Sequence, residues 1–254
     1  MFPISIGLIV FICTFGGAVA GMRLRLALPD EHLEDRSKST INASIGLVAT
    51  MTALVLGLVT ASAKSSYDSV DSGVKHTASQ IVILDRTLAR LGPETRDIRV
   101  RLKELVAARV DAIWPEDSPS APGKPIVAND PAFPEHIAND IRTLAVTNDV
   151  QRALQARAVD LVEQILDTRW IVLTSTDTPV PTAFIVIMMF WLSVTFASFG
   201  LFAPRNRVVI AALFVSAMSV SCAILLVLEL GSPFDGIVKV SGEPMRHALS
   251  LLNR

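Results

Sequence analysis

The chain has 254 residues and a formal net charge of -1, and its composition is 51% hydrophobic against 19% charged. The mean hydropathy of +0.49 is too high for an ordinary soluble domain of this size. A net charge so close to zero gives no extended positive surface, which excludes nucleic acid as an expected partner. The apolar residues are also unevenly distributed, because they form blocks near the two ends of the chain.

Four apolar segments are long enough to cross a bilayer, which takes about 20 residues for a hydrocarbon core of about 30 Å. They contain no Asp, Glu, Lys or Arg apart from Glu229, at the end of the fourth segment. A buried helix of a soluble protein rarely stays uncharged on every face over its whole length. The sequence thus predicts an all-α integral membrane protein with four transmembrane helices, at residues 3–22, 41–63, 183–203 and 208–230.

Basic residues beside the segments predict their orientation, since cytoplasmic loops carry an excess of Lys and Arg. The loop at 23–40 holds Arg23, Arg25, Arg36 and Lys38, and the turn at 204–207 holds Arg205 and Arg207. Both loops lie on the same side of an arrangement with four spans. We therefore expect both loops in the cytoplasm, and the middle section and both ends of the chain outside.

Residues 64–178 have an ordinary charged composition and are expected to form a soluble helical bundle, inserted between the second and third spans. Apolar residues at helical spacing over residues 70–91 continue the second span without a helix breaker. This continuity predicts that the span and residues 64–91 form one long helical rod. Gly92 and Pro93 are expected to end the rod and to start the next helix.

Two further helices are predicted in the middle section. The first continues to Trp114, where Pro115 follows, and the second extends from Pro134 to about Trp170. A proline-rich loop at 115–133 separates them, and a loop of this length in a compact region is either mobile or functional.

After the fourth span, Gly231 and Pro233 prevent the helix from continuing, so residues 231–254 are predicted to be a C-terminal interfacial tail with a short helix near 244–252. The chain contains no Gly-rich phosphate loop, nucleophile elbow, carboxylate pair or His-Glu-x-x-His pattern. The four His and two Cys residues lack the spacing of metal ligands. We therefore expect no enzymatic activity, no metal and no cofactor.

Several short motifs follow one another in a fixed order along residues 40–254. They are residues 46–57 with the run Leu54-Val55-Leu56-Gly57-Leu58, then Tyr67-Asp68 and Asp85-Arg86, then Ile113-Trp114-Pro115, then Pro179-x-Pro181 with Trp191, and finally Pro233-Phe234-Asp235-Gly236 with Gly242-Glu243-Pro244. In this order they resemble the bestrophin-like family of bacterial membrane proteins, which is distantly similar to the bestrophin channels.

Bestrophins are pentameric ion channels in which the second membrane helix lines a narrow apolar neck. The resemblance implies a homo-oligomeric ion channel, pentameric by analogy with the bestrophins, in the bacterial inner membrane, with lipid, inorganic ions and other copies of the chain as partners. By the same resemblance, the neck would fall on Thr50, Leu54 and Leu58, flanked by Leu47 and Met51. The alternative interpretation is that these five residues pack the helix against its neighbours.

Two further interpretations stay open at the level of sequence. Glu229 and Asp235 are candidate charges at one mouth of the channel, although a Glu at a helix end is more often a solvated anchor. The protein could also be a membrane-anchored sensor or scaffold whose soluble bundle binds a ligand or partner. The loop at 115–133 and the arginine-rich helix before it motivate that alternative.

Overall fold

A computed structural model describes residues 3–27, 35–115, 133–176, 182–204, 206–234 and 236–253. Within these ranges every regular element is a helix, and the α-helices are α1 (Pro3–Ala27), α2 (Asp35–Leu91), α3 (Arg96–Ile113), α4 (Phe133–Arg142), α5 (Asp149–Thr176), α6 (Thr182–Phe202), α7 (Arg207–Leu230) and α8 (Glu243–Leu251). The chain divides into two compact units. The first contains Met1–Tyr67 and Thr178–Val238, and the second contains Asp68–Asp177 and Lys239–Arg254.

The prediction of an all-helical fold with four long apolar helices is confirmed. The helices long and apolar enough to cross a membrane are Ile4–Ala27, Ser39–Leu91, Thr182–Phe202 and Arg207–Leu230. The first of them continues past the predicted end at residue 22, because nothing before Ala27 breaks the helix. The orientation of these helices and the solubility of residues 64–178 stay predictions.

In the first unit, α1 packs closely against α6 through glycines. A Cβ atom on Gly17 would lie 2.7 Å from the carbonyl oxygen of Ser193. Likewise, a Cβ on Gly21 would collide with the carbonyl oxygen of Ala197, and one on Gly200 with that of Ala18. Only residues without a side chain allow the two backbones to approach this closely.

The third helix of this cluster, α7, packs against α1 as well. The hydroxyl of Ser221 donates a hydrogen bond to the carbonyl oxygen of Gly7, and Gly7 also contacts the side chain of Leu225. The buried centre of the unit contains Val10, Ala18, Leu192, Phe196, Ala217 and Ile224. Helices α1, α6 and α7 therefore form a closely packed cluster.

The long rod predicted from the sequence is confirmed, because α2 has 57 residues without a break. It ends at Leu91, where Gly92 has a φ of 149° that favours glycine. The hydroxyl of Thr95 then donates hydrogen bonds to the carbonyl oxygens of Leu88 and Gly92, each at 2.8 Å. These hydrogen bonds satisfy carbonyl oxygens at the C-terminal end of α2 that have no partner within the helix, and they stabilise the turn into α3.

The predicted single helix from Pro134 to about Trp170 is wrong, because the structure has two helices there, α4 and α5. The side chain of Asn148 accepts a hydrogen bond from the backbone N–H of Gln151 at 2.7 Å, which caps the start of α5. The amide of Gln155 donates to the carbonyl oxygens of Ile141 and Leu144 at the end of α4. The break is therefore held by side chains on both of its sides.

The end of the chain packs within the second unit. Its helix, α8, lies where a short helix was predicted and contacts α3. The indole N–H of Trp114, which follows α3, donates to the carbonyl oxygen of Val240 at 2.8 Å. A Cβ on Gly242 would lie 2.7 Å from the Trp114 ring, so the indole covers the backbone of Gly242. Two of the motifs noted in the sequence, at 113–115 and 242–244, thus meet in the structure.

Candidate functional site

The residues predicted to form a channel neck lie on one face of α2 in the first unit. Leu47, Met51, Leu54 and Leu58 follow one another at helical spacing, and between 48% and 65% of each residue is exposed. Thr50 is also exposed, and its hydroxyl donates to the carbonyl oxygen of Gly46 at 2.8 Å. We call the four large residues the apolar stripe. Its role as a pore lining stays a prediction.

The opposite face of α2 is the one that packs within the first unit. Thr52 and Ala63 are buried, and Leu56 contacts the core residues Val10, Leu192 and Ile224. Only 11% of the most apolar window of α2 is buried, against 28% in α1 and in α6. A single chain therefore leaves the apolar stripe uncovered.

The two glycines of α2 differ from Gly17 and Gly21 of α1 and from Gly200 of α6 in what surrounds them. No atom lies within 4 Å of a Cβ built on Gly46 or on Gly57. Both residues are exposed, as are Thr50 and Ala53 between them at helical spacing. We call these four positions the small-residue stripe, which lies beside the apolar stripe on the same helix. In one chain, therefore, the close approach that these glycines permit is not used.

Glu229, a predicted mouth charge, is buried at the end of α7 with 3% exposure. Its carboxylate accepts a hydrogen bond from the backbone N–H of Ile237 at 2.6 Å. The interpretation of Glu229 as a solvated anchor is therefore wrong, because the chain after α7 folds over the carboxylate. The other predicted mouth charge, Asp235, lies outside the described residues, and so does most of the proline-rich loop at 115–133.

A buried ion pair in the second unit was not foreseen from the sequence. Asp85 on α2 is 1% exposed and accepts hydrogen bonds from Nε and Nη2 of Arg99 on α3, at 2.7 and 2.9 Å. These bonds raise the pKa of the Arg99 guanidinium, which stays charged throughout the physiological range. The sequence contains a hint of this pair, because Asp85 lies among the apolar residues at helical spacing over residues 70–91. A buried carboxylate requires a partner.

Two arginines of α3, Arg99 and Arg101, are thus engaged inside the second unit rather than offered to a ligand. Arg101 forms a further ion pair with Asp140 at 2.8 Å. The open groove on α4 and α5, with a volume of about 360 Å³, is lined by Arg142, Arg152, Asp160 and Glu163 among others. Each of these four charged side chains forms an ion pair. The groove therefore offers no unpaired charge to a ligand.

Metal binding has no support in the described part of the chain. No three His, Cys, Asp or Glu residues in the described ranges come together in a way that could hold an ion. Cys13 and Cys222 are both free and lie on different apolar helices.

Four apolar helices, with closely packed backbones in the first unit, define a multi-pass membrane protein. The family model described as Bestrophin-like domain matches residues 12–245. The chain therefore belongs to the bestrophin-like family, as its motifs predicted. No curated protein and no solved structure shows significant similarity to it.

Proposed function

We propose that this protein is a homo-oligomeric ion channel of the bacterial inner membrane whose pore is lined by α2. The observation that carries the proposal is the apolar stripe, which stays exposed in a single chain while the opposite face of the same helix is packed. A helical segment without charges and with one unpacked face, such as residues 41–63 of α2, is suited to surround an axis together with copies of itself. Family membership supports this assignment.

The side chains of the apolar stripe are suited to a hydrophobic gate, which closes by dewetting. Leu54 and Leu58 lie one turn apart, with Thr50 one turn before them. A ring of leucines from several copies would form a narrow apolar constriction, which excludes water and ions when it is closed. The hydroxyl of Thr50 would offer a polar surface on one side of that constriction.

The small-residue stripe supports self-association. Gly46, Ala53 and Gly57 are exposed beside the large residues of the apolar stripe. Large side chains of one copy can therefore pack against the small residues of the next copy, and such a head-to-tail contact closes into a ring. Five copies is the number taken from the resemblance to bestrophin channels.

Ion flux into liposomes that contain the purified protein tests the channel. Leu54→Ala and Leu58→Ala should each raise the flux severalfold, because they widen the apolar constriction. Leu8→Ala on α1 is the matched control, since Leu8 is an apolar residue with 59% exposure on another helix, and it should leave the flux unchanged. Absence of flux from the wild type and from both neck variants would refute the proposal.

Native mass spectrometry in detergent or nanodiscs tests the assembly. Gly57→Leu should shift the protein towards smaller species, because a large side chain fills the small-residue stripe. Gly16→Leu on α1 is the matched control, since a Cβ on Gly16 also meets no atom within 4 Å. A wild-type protein that stays monomeric in both media would contradict the assembly.

A further inference from the structure

The chain after α7 folds back over the carboxylate of Glu229. The backbone N–H of Ser232 donates to the carbonyl oxygen of Glu229 at 3.0 Å, and the N–H of Ile237 donates to its carboxylate at 2.6 Å. Glu229 thus bonds both Ser232 and Ile237. We call residues 232–234 together with residues 236 and 237 the mouth turn.

Gly236 is matched to this carboxylate in two ways. Its φ of 96° is a conformation that favours glycine. In addition, a Cβ atom at this position would collide with Glu229 Oε2. A side chain on residue 236 would therefore push the carboxylate away from the N–H of Ile237.

A carboxylate with 3% exposure at the end of an apolar helix is costly unless it has a structural or functional use. The backbone of the mouth turn covers the Glu229 carboxylate, which argues against direct contact between this carboxylate and passing ions. Its hydrogen bond to Ile237 N–H argues for a role in shaping the backbone.

We infer that Glu229 is a positioning residue, whose carboxylate holds the mouth turn in the conformation that conduction requires, and that it is not itself a charge of the permeation path. The flux measurements that test the inference rest on the proposed channel function. The stability measurements do not, because they need only the folded protein.

Three variants separate positioning from charge in the liposome assay. Glu229→Gln removes the charge but keeps an oxygen that can accept from Ile237 N–H, so flux and ion preference should stay close to those of the wild type. Glu229→Ala removes the acceptor, and Gly236→Ala displaces it without changing any charge. Both alanine variants should alter the flux severalfold and in the same direction.

The opposite pattern would overturn the inference. If Glu229→Gln changes the ion preference as much as Glu229→Ala does, while Gly236→Ala has no effect, then Glu229 acts as a charge in the path. If none of the three variants differs from the wild type, Glu229 has no role in conduction.

A double-mutant cycle on unfolding in detergent tests the same contact without any ion flux. Glu229→Ala removes the group with which a Cβ on residue 236 would collide, so the double variant should be less destabilised than the sum of the two single variants. Strictly additive effects would show that Gly236 and the carboxylate are not coupled. A coupled pair in a protein that passes no ions would refute the channel and leave the contact established.

Discussion

Different interactions stabilise the interior of each of the two units of this protein. In the first unit, α1 and α6 approach through Gly17, Gly21 and Gly200. In the second unit, large aliphatic side chains such as Leu84 and Leu161 are buried, and a buried ion pair joins α2 to α3. The difference indicates that the first unit is packed for lipid, where burial of apolar surface gives little driving force and close backbone contact replaces it.

Helix α2 contributes to both units and behaves differently in each. In the first unit, Leu54 and Leu58 are exposed, whereas in the second unit Leu84 and Leu88 of the same helix are fully buried. Exposed leucines on a helix within hydrocarbon need no protein partner, since lipid covers them equally well. In the proposed assembly, their arrangement beside the small-residue stripe would make the contact between copies specific.

The largest effect is expected at the ion pair of the second unit. Asp85→Ala leaves the Arg99 guanidinium largely buried without its carboxylate, which should destabilise this unit by about 3–5 kcal/mol. Native-state hydrogen exchange of α3 amides in the full chain measures the loss. Asp140→Ala breaks the ion pair with Arg101, whose two side chains are 36% and 56% exposed, and should cost at most about 1 kcal/mol. Equal effects would remove the contrast between buried and exposed pairs.

The next effect compares Gly21, where an added Cβ would collide with backbone, with Gly57, where an added Cβ would meet no atom. Gly21→Ala should destabilise the first unit by about 1–3 kcal/mol, because its Cβ collides with the backbone at Ala197. Gly57→Ala should instead stabilise the chain by up to about 1 kcal/mol, since alanine favours the helix and meets no atom within it. Unfolding titrations in mixed detergent micelles compare the two variants. At dilutions where the chain is monomeric, a destabilising Gly57→Ala would contradict the open position of Gly57, whereas destabilisation in the assembled protein alone would reflect the proposed contact between copies.

A smaller effect is expected at the tail of the second unit. Trp114→Phe keeps an aromatic ring but loses the indole N–H that donates to the buried carbonyl oxygen of Val240, and the loss of this hydrogen bond should cost about 1–2 kcal/mol. Hydrogen exchange of α8 amides reports this loss directly. Trp191→Phe on α6 serves as the control in the first unit and should leave α8 exchange unchanged. Unchanged exchange in both variants would mean that the indole N–H does not fix the tail.

The smallest effect is expected on the surface of the second unit. Arg142 and Glu163 form an ion pair in which the two side chains are 55% and 57% exposed. A double-mutant cycle with Arg142→Ala and Glu163→Ala should give a coupling energy below about 1 kcal/mol, which decreases further with added salt. A coupling energy above about 1 kcal/mol would show that exposed ion pairs contribute substantially to the stability of this unit.

The long helices followed from sequence because their signals are local. No Gly-Pro pair interrupts α2 before Gly92 and Pro93, so the rod could be predicted to its end. The break between α4 and α5 was missed because it contains neither residue. Its signal was the polar run Thr147-Asn148-Asp149, which is typical of a helix start. The burial of Glu229 could not be predicted, because nothing near it in sequence reveals that Ile237 folds back onto it.

The sequence by itself determined that the chain is helical, where its apolar segments lie and which family it resembles, because hydrocarbon accepts only helices and closed barrels and so imposes a simple pattern on composition. Tertiary structure alone decided which glycines are filled and which are open, that Asp85 meets Arg99, and that Glu229 lies under the mouth turn. The reason is that each of these facts depends on a contact between elements, and composition and spacing along one helix are unchanged whether that contact forms or not.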